Sequence, residues 1–438
     1  MTVRIIKPPC GGSIRAISSK SEAHRLLICA ALADRATFVE CPKSSEDIEA
    51  TARCLEALGA VVKSDRTGFI VSPIVRGSNK ERERKLDCGE SGSTLRFLLP
   101  VCGALGMSAS FQMGGRLPER PLAALYGEMA ANGCTLSEVG HNPLRCKGLL
   151  QSGSYTMPGD VSSQFVSGLL FALPLLKGDS IICVSGVLES RPYVDITLES
   201  LRRFGVSVFE VESGQERGIG GAGLAYRVTG GQTFTSPGRV SAGGDWSNAA
   251  FWLSLGAIGE NGVTCTGLDL DSKQGDRTVI ELLARFGAGV TYENGSVTVM
   301  PGLLSGIDID AANTPDLAPI MAVVACAAEG QTVIRNAGRL RTKESDRLAA
   351  VAQSLSDLGA DISEADDGLI IYGKKSLSGG WTQSFGDHRI AMAAAILSAV
   401  CSGYVEIDGA ESVNKSYPGF FDDFTAAMGG EWQVTGNK

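Results

Sequence analysis

Six times along the chain an apolar stretch at helical spacing stops at a glycine and a strand-like segment follows, at Gly59, Gly133, Gly205, Gly287, Gly359 and Gly429. The local texts are LEALGAVV, EMAANGCTL, SLRRFGVSVF, LLARFGAGVTY, SLSDLGADIS and FTAAMGGEWQV. Each places glycine where a left-handed C-cap releases a helix into a strand. Successive glycines stand 70 to 82 residues apart, which predicts six copies of one supersecondary unit. The first copy reads as strand RIIKP, helix KSEAHRLLICAALAD, strand ATFVECP, helix SEDIEATARCLEALG, then strands AVVKSD and GFIVSP, a βαβαββ order. In its second helix Ile48, Ala52, Leu55 and Leu58 recur at near-helical spacing, and Glu46 and Asp47 fall in the first turn.

A second series runs in phase with the glycines, where helices begin: SSKSEAHR at 18–25, ESGSTLR at 90–96, VSSQF at 161–165, GDWSNAAF at 244–251, TPDLAP at 314–319 and GDHRIAM at 386–392. Each sets Ser, Thr, Asp or Gly before an apolar helical stretch, which is N-cap chemistry. Helix N-termini carry unpaired N–H groups and partial positive charge, so six of them turned inward make an anion-seeking centre. Turned toward water they are ordinary caps. The widest interval between glycines contains RVTGGQTFTSPGRVSAGGDWS at 227–247, and its crowded Gly, Ser and Thr predict a change of domain. The expected division is residues 15–233 as a first domain of three repeats, and residues 1–14 with 234–438 as a second. The strand at 3–7 is expected to pair within the second half.

Composition fits a globular α/β chain with ample core: 438 residues, 44% hydrophobic, 20% charged, mean hydropathy +0.09. A net charge of −8 argues against a broad basic face for nucleic acid, while leaving room for a few arginines converging on a small anion. The twelve cysteines are scattered from Cys10 to Cys401 without a C-x-x-C pair, and His24, His141 and His388 lie far apart. That pattern supports neither a disulfide framework nor a metal site. The N-terminal segment lacks an apolar leader core and no run of 18 apolar residues occurs. The expectation is therefore a cytoplasmic protein with no membrane or nucleic-acid partner; a monomer is expected as well, a state that composition does not decide.

Candidate chemistry concentrates in RLRTKESDRL, where Arg341, Lys343, Glu344, Asp346 and Arg347 crowd together. If helical, Lys343 and Arg347 share a face. A solvated, salt-bridged helix face is the bland reading. Lys20, Arg25, Arg96, Arg120, Arg389 and Lys415 supply cations for phosphate or carboxylate, and Ser162, Ser163 and Ser190 supply hydroxyls. Asp316, the lone acid of TPDLAP, reads equally well as a general base and as a helix cap.

Taken in order, SKSEAHR, SGSTLR, LPERP, VSSQF, SRPYVDITL, PDLAP, KESDR, GDHRIAM and NKSYPGFF resemble the 5-enolpyruvylshikimate-3-phosphate synthase family from Lys20 to Lys415. The resemblance implies a two-domain inside-out α/β barrel of six βαβαββ repeats, three per domain, with the substrates bound between the domains. It implies transfer of the enolpyruvyl group of phosphoenolpyruvate to the 5-hydroxyl of shikimate 3-phosphate, with phosphate released and no cofactor. By the same resemblance Lys20, Ser21, Arg25, Ser162, Ser163, Gln164, Ser190, Tyr193, Asp316, Arg339 and Lys343 meet shikimate 3-phosphate. Lys20, Gly92, Arg120, Gln164, Arg347, Arg389 and Lys415 meet phosphoenolpyruvate. Asp316, Glu344 and Lys20 move protons.

Two departures stand out: Glu90 opens ESGSTLR where an amide is commoner, and Arg339 stands where an Asn is usual. An acid at position 90 repels phosphoenolpyruvate unless it is paired or turned away. The nearest rival is the family that adds enolpyruvate to UDP-N-acetylglucosamine. Its members resemble a Lys-Asn pair and carry a loop cysteine, whereas here Ser21 follows Lys20 and LPERP has no cysteine. A non-catalytic ring or clamp built of six units is a third reading, and it needs a basic inner face that this acidic chain does not suggest.

Overall fold

All six repeat-closing glycines have positive φ, from 70° at Gly429 to 112° at Gly287. At Gly59 the cap is a paired one: its N–H reaches the Glu56 carbonyl at 2.8 Å and the next N–H, of Ala60, reaches Leu55 at 3.0 Å. The same pair of bonds closes the helices before Gly205, Gly287 and Gly359. In this computed structural model, which describes residues 1–75, 82–212, 223–293 and 295–436, the strands so released build six four-stranded sheets. Every sheet has one pattern, a parallel pair extended by two strands that pair antiparallel, and in four of the six a single helix crosses between the parallel strands.

The sheets divide evenly between two units, Lys20–Ala242 and Met1–Ser19 with Gly243–Lys438. The strand expected to open the first repeat does not belong there. Val3–Lys7 pairs antiparallel with Val405–Asp408 and Glu431–Val434, completing the sixth repeat as the alternative expectation had it. The first repeat takes its opening strand from Arg239–Ser241, parallel to Thr37–Glu40. This pairing carries the first unit to Ala242, past the expected end at 233. Likewise Gly12–Arg15 runs parallel to Val263–Thr266, and Ser18 bridges to Gly244, so the unit boundary falls at Ser19 and not at residue 14. Backbone hydrogen bonding to a distant sheet edge decides both boundaries, and local composition does not encode it.

Each unit has its own hydrophobic core. Three helices in each are buried on nearly every face: Lys20–Leu32, Gly92–Leu105 and Ser163–Ala172 in one, Trp246–Ile258, Ala318–Ala327 and His388–Leu397 in the other. They read as apolar all round, as buried helices do. The remaining long helices, such as Glu46–Leu58 and Arg347–Asp357, are buried on one side. Close approach of two buried helices has a visible cause. Pro100 has no N–H for the Arg96 carbonyl, and Gly168 lies against that carbonyl, where a Cβ would come within 2.2 Å of it. All twelve cysteines are free and ten are buried. Among the described residues no helix is long and apolar enough to cross a membrane.

Candidate active-site residues in the two units

In the unit Lys20–Ala242, Lys20, Ser21, Gly92, Ser162, Ser163 and Gln164 sit at the N-terminal ends of the buried helices, Ser190 and Tyr193 at the start of Arg191–Arg203, and Arg120 behind the turn Leu117–Glu119. Lys20 opens its helix with Nζ 2.9 Å from Asp47 Oδ2, both half-buried. One turn on, Arg25 is 2% exposed and its three nitrogens donate to neutral acceptors: Nε to Thr197 Oγ1 at 2.7 Å, Nη1 to the Ser21 carbonyl at 2.7 Å, and Nη2 to the Tyr193 carbonyl at 2.8 Å. Burial pushes its pKa down to about 10, against the weaker upward pull of Tyr193 and Glu22. Thr197 Oγ1 in turn donates to Ser167 Oγ at 2.8 Å, tying three helices together.

Gly92 faces two guanidinium groups. A Cβ there would lie 2.9 Å from Arg96 Nη1 and 3.0 Å from Arg120 Nη1. Arg96 also donates to Gln164 Oε1 at 2.8 Å, while Gln164 Nε2 reaches Ser93 at 2.9 Å, so Gln164 bridges two helix starts. Ser162 caps its helix, accepting from the Gln164 N–H, and Ser163 is buried beside it. Ser190 is buried in a left-handed backbone conformation, φ 54°, where a non-glycine residue is strained. Glu90 lies along the Gly114–Gly115 turn, its carboxyl 2.5 Å from where a Cβ on Gly115 would stand.

The other unit is built around charge. Arg347, 1% exposed at the start of its helix, donates Nε to Asp387 Oδ2 at 2.8 Å, Nη1 to Asp316 Oδ1 at 3.0 Å and Nη2 to Glu344 Oε2 at 2.6 Å. Burial alone would weaken its charge, yet Asp387, Glu344 and Asp316 together outweigh it and hold the guanidinium above the ordinary arginine range. Asp316 is shared, since Arg389 Nη2 stands 3.1 Å from its other oxygen. The cap positions here are Thr314 for the turn and Leu317 for the helix behind it, so Asp316 is not the capping residue that TPDLAP offered. Lys415 Nζ donates to the Gly386 carbonyl at 2.7 Å, beside Asp387. Arg339 donates to the Ala312 carbonyl.

RLRTKESDRL splits in two. Arg341 pairs outward with Glu364 at 2.7 Å and with Asp346, which caps the helix. Lys343 lies in extended backbone before the helix begins, so it shares no helix face with Arg347. The phased helix starts are unequal as well. Ser91, Ser162, Asp245 and Asp387 each accept from their own helix's N–H groups, and the two aspartates offset the positive helix end with a full negative charge. Asp387 is absent from the sequence-derived candidates, and Asp47 enters them only as a first-turn helix acid. GDHRIAM held the signal for Asp387, an Asp directly before an Arg-bearing apolar helix.

The family model for EPSP synthase (3-phosphoshikimate 1-carboxyvinyltransferase) matches residues 6–424. The chain belongs to this family. It is 43% identical over 432 residues to the 3-phosphoshikimate 1-carboxyvinyltransferase of Clostridium kluyveri, covering 97% of each chain. With the same-named protein of Clostridium acetobutylicum it shares 39% identity over 98% of each. Among solved structures, an EPSP synthase from Acinetobacter baumannii matches with a TM-score of 0.80 and 26% identity, over 99% of this chain and 100% of that one.

Proposed function

We infer that the chain transfers the enolpyruvyl group of phosphoenolpyruvate to the 5-hydroxyl of shikimate 3-phosphate, giving 5-enolpyruvylshikimate 3-phosphate and phosphate on the route to chorismate and the aromatic amino acids. Family membership over nearly the whole chain supports the reaction. The observation that carries the residue assignment is one buried arginine, Arg347, gripping both Asp316 and Glu344.

Adding an alcohol across the double bond of an enol phosphate needs a base at oxygen, an acid at carbon and cations for the substrate anions. Asp316 takes the 5-hydroxyl proton as that oxygen bonds to C2 of phosphoenolpyruvate, while Glu344, with Lys20, delivers a proton to the C3 methylene. In the reverse sense the C3 methyl gives up a proton, the double bond re-forms and phosphate leaves from C2. Arg120, Arg347, Arg389, Lys415 and the Gly92 backbone hold phosphoenolpyruvate, with Lys20 and Gln164 beside it. Ser162, Ser163 and Ser190 hold the shikimate phosphate. Ser21, Arg25, Gln164, Tyr193, Arg339 and Lys343 frame the ring.

We also propose a monomer in the cytoplasm, where twelve free thiols fit a reducing compartment; light scattering checks the oligomeric state. Phosphate release tests the substrate pair. It is expected only when phosphoenolpyruvate and shikimate 3-phosphate are both present. Turnover with UDP-N-acetylglucosamine in place of shikimate 3-phosphate overturns the assignment.

A further inference from the structure

The fourth repeat opens with GDWSNAAF, a helix start without a part in the scheme above, and a buried acid lies beside it. Asp276, in the tight turn Gly275–Thr278, is 3% exposed. Its Oδ2 accepts from the Ser247 hydroxyl. Its Oδ1 is buried with no hydrogen-bond partner. Three other elements face it with charge: Asp316 from the turn Pro315–Leu317, Asp245 at the cap of helix Trp246–Ile258, and Arg389 from helix His388–Leu397. On its own turn, Arg277 gives its guanidinium to the Leu270 carbonyl. An ionised Asp276 would leave a bare oxygen in the interior beside two like charges. Burial, then Asp316, pushes its pKa up to about 7, against the pull of Arg389 and Ser247.

We propose that Asp276 is a positioning residue that acts as a neutral acid: while it holds its proton Arg389 stays with Asp316 and the incoming phosphoenolpyruvate, and its ionisation draws Arg389 away and weakens phosphoenolpyruvate binding. The proposal rests on the assignment of Arg389 to phosphoenolpyruvate. No bond to substrate is involved; the proton leaves to solvent as pH rises.

The test compares wild type with Asp276→Asn, which is neutral at every pH and keeps an oxygen for Ser247. The ratio of wild-type to variant KM cancels the titration of phosphoenolpyruvate itself. For phosphoenolpyruvate that ratio is expected to rise at least about threefold between pH 6 and pH 8.5, since even an exposed ion pair reaches that scale. For shikimate 3-phosphate it stays flat. Parallel profiles overturn the proposal. Ser247→Ala removes the hydroxyl that favours the ionised form, so the rise moves to higher pH; no movement, or movement to lower pH, contradicts it.

Thermal unfolding gives a readout independent of turnover. Folded Asp276 keeps a proton that the unfolded chain's carboxyl has already lost, so wild type loses stability relative to Asp276→Asn as pH climbs from about 4 through about 7. A Tm difference constant across pH contradicts the raised affinity for the proton. Should wild type release no phosphate from the two substrates at any pH, the reaction is at fault, and the Tm difference still decides the state of Asp276.

Discussion

Arg25 and Arg347 are both buried arginines near helix starts in repeats with the same sheet topology, and their surroundings are opposite. Arg25 meets a threonine hydroxyl and two backbone carbonyls. Arg347 meets three carboxylates. Burial lowers the proton affinity of the first, and the carboxylates raise that of the second. One scaffold thus carries a half that offers a net cation and hydroxyls, suited to holding a phosphate ester. Its other half is a balanced acid–arginine cluster, suited to moving protons. Symmetry of fold does not extend to chemistry.

The contrast breaks most visibly at the arginines themselves. Arg347→Met leaves Asp316, Glu344 and Asp387 facing one another, at a cost of about 3–5 kcal/mol, and Arg25→Met, which strands only neutral acceptors, costs about 1–3 kcal/mol. Urea unfolding followed by tryptophan fluorescence reads the first directly, because all four tryptophans lie in the unit that holds Arg347. Equal losses would dissolve the contrast. Among the acids, Asp316→Asn and Glu344→Gln are each expected to lower kcat by about 10²- to 10⁴-fold with smaller changes in KM, as removal of proton-transfer groups does.

In the half that holds Arg25 the effects are smaller. Gly92→Ala pushes a methyl against the ends of Arg96 and Arg120, side chains that can shift, so KM for phosphoenolpyruvate rises about five- to thirtyfold, the equivalent of about 1–2 kcal/mol. An unchanged KM would show that these guanidinium groups do not meet the substrate. The smallest effect belongs to Ser190→Gly. Relief of the left-handed strain raises stability by about 1 kcal/mol, while loss of the hydroxyl raises KM for shikimate 3-phosphate. A gain in stability without the loss in affinity would make Ser190 a purely structural outlier.

The repeats were legible in the sequence because both of their signals are local: a glycine at a left-handed cap and a polar residue before an apolar helix. All six glycines adopt the expected conformation. What the sequence hid is non-local. Nothing within Arg239–Ser241 says that it opens the first repeat, and nothing within Val3–Lys7 says that it completes the last. At the site, Asp316, Glu344, Arg347 and Arg389 were named from their motifs, and their mutual pairing came only with the fold. Asp276 had no signal, since QGDRT has neither a helical period nor a capped start, and only burial against Asp316 makes it unusual.

The division of labour is tested most directly by turnover in deuterium oxide, with proton NMR of the vinyl group of the product. A proton delivered to C3 makes a methyl that holds one solvent deuteron, and elimination leaves deuterium in the vinyl methylene. Wild type is predicted to label that group. Glu344→Gln is predicted to lose labelling together with turnover, and Ser162→Ala to keep the label in each product molecule while binding shikimate 3-phosphate more weakly. Unlabelled product from wild type would contradict proton transfer to carbon and, with it, the role assigned to the acid–arginine half.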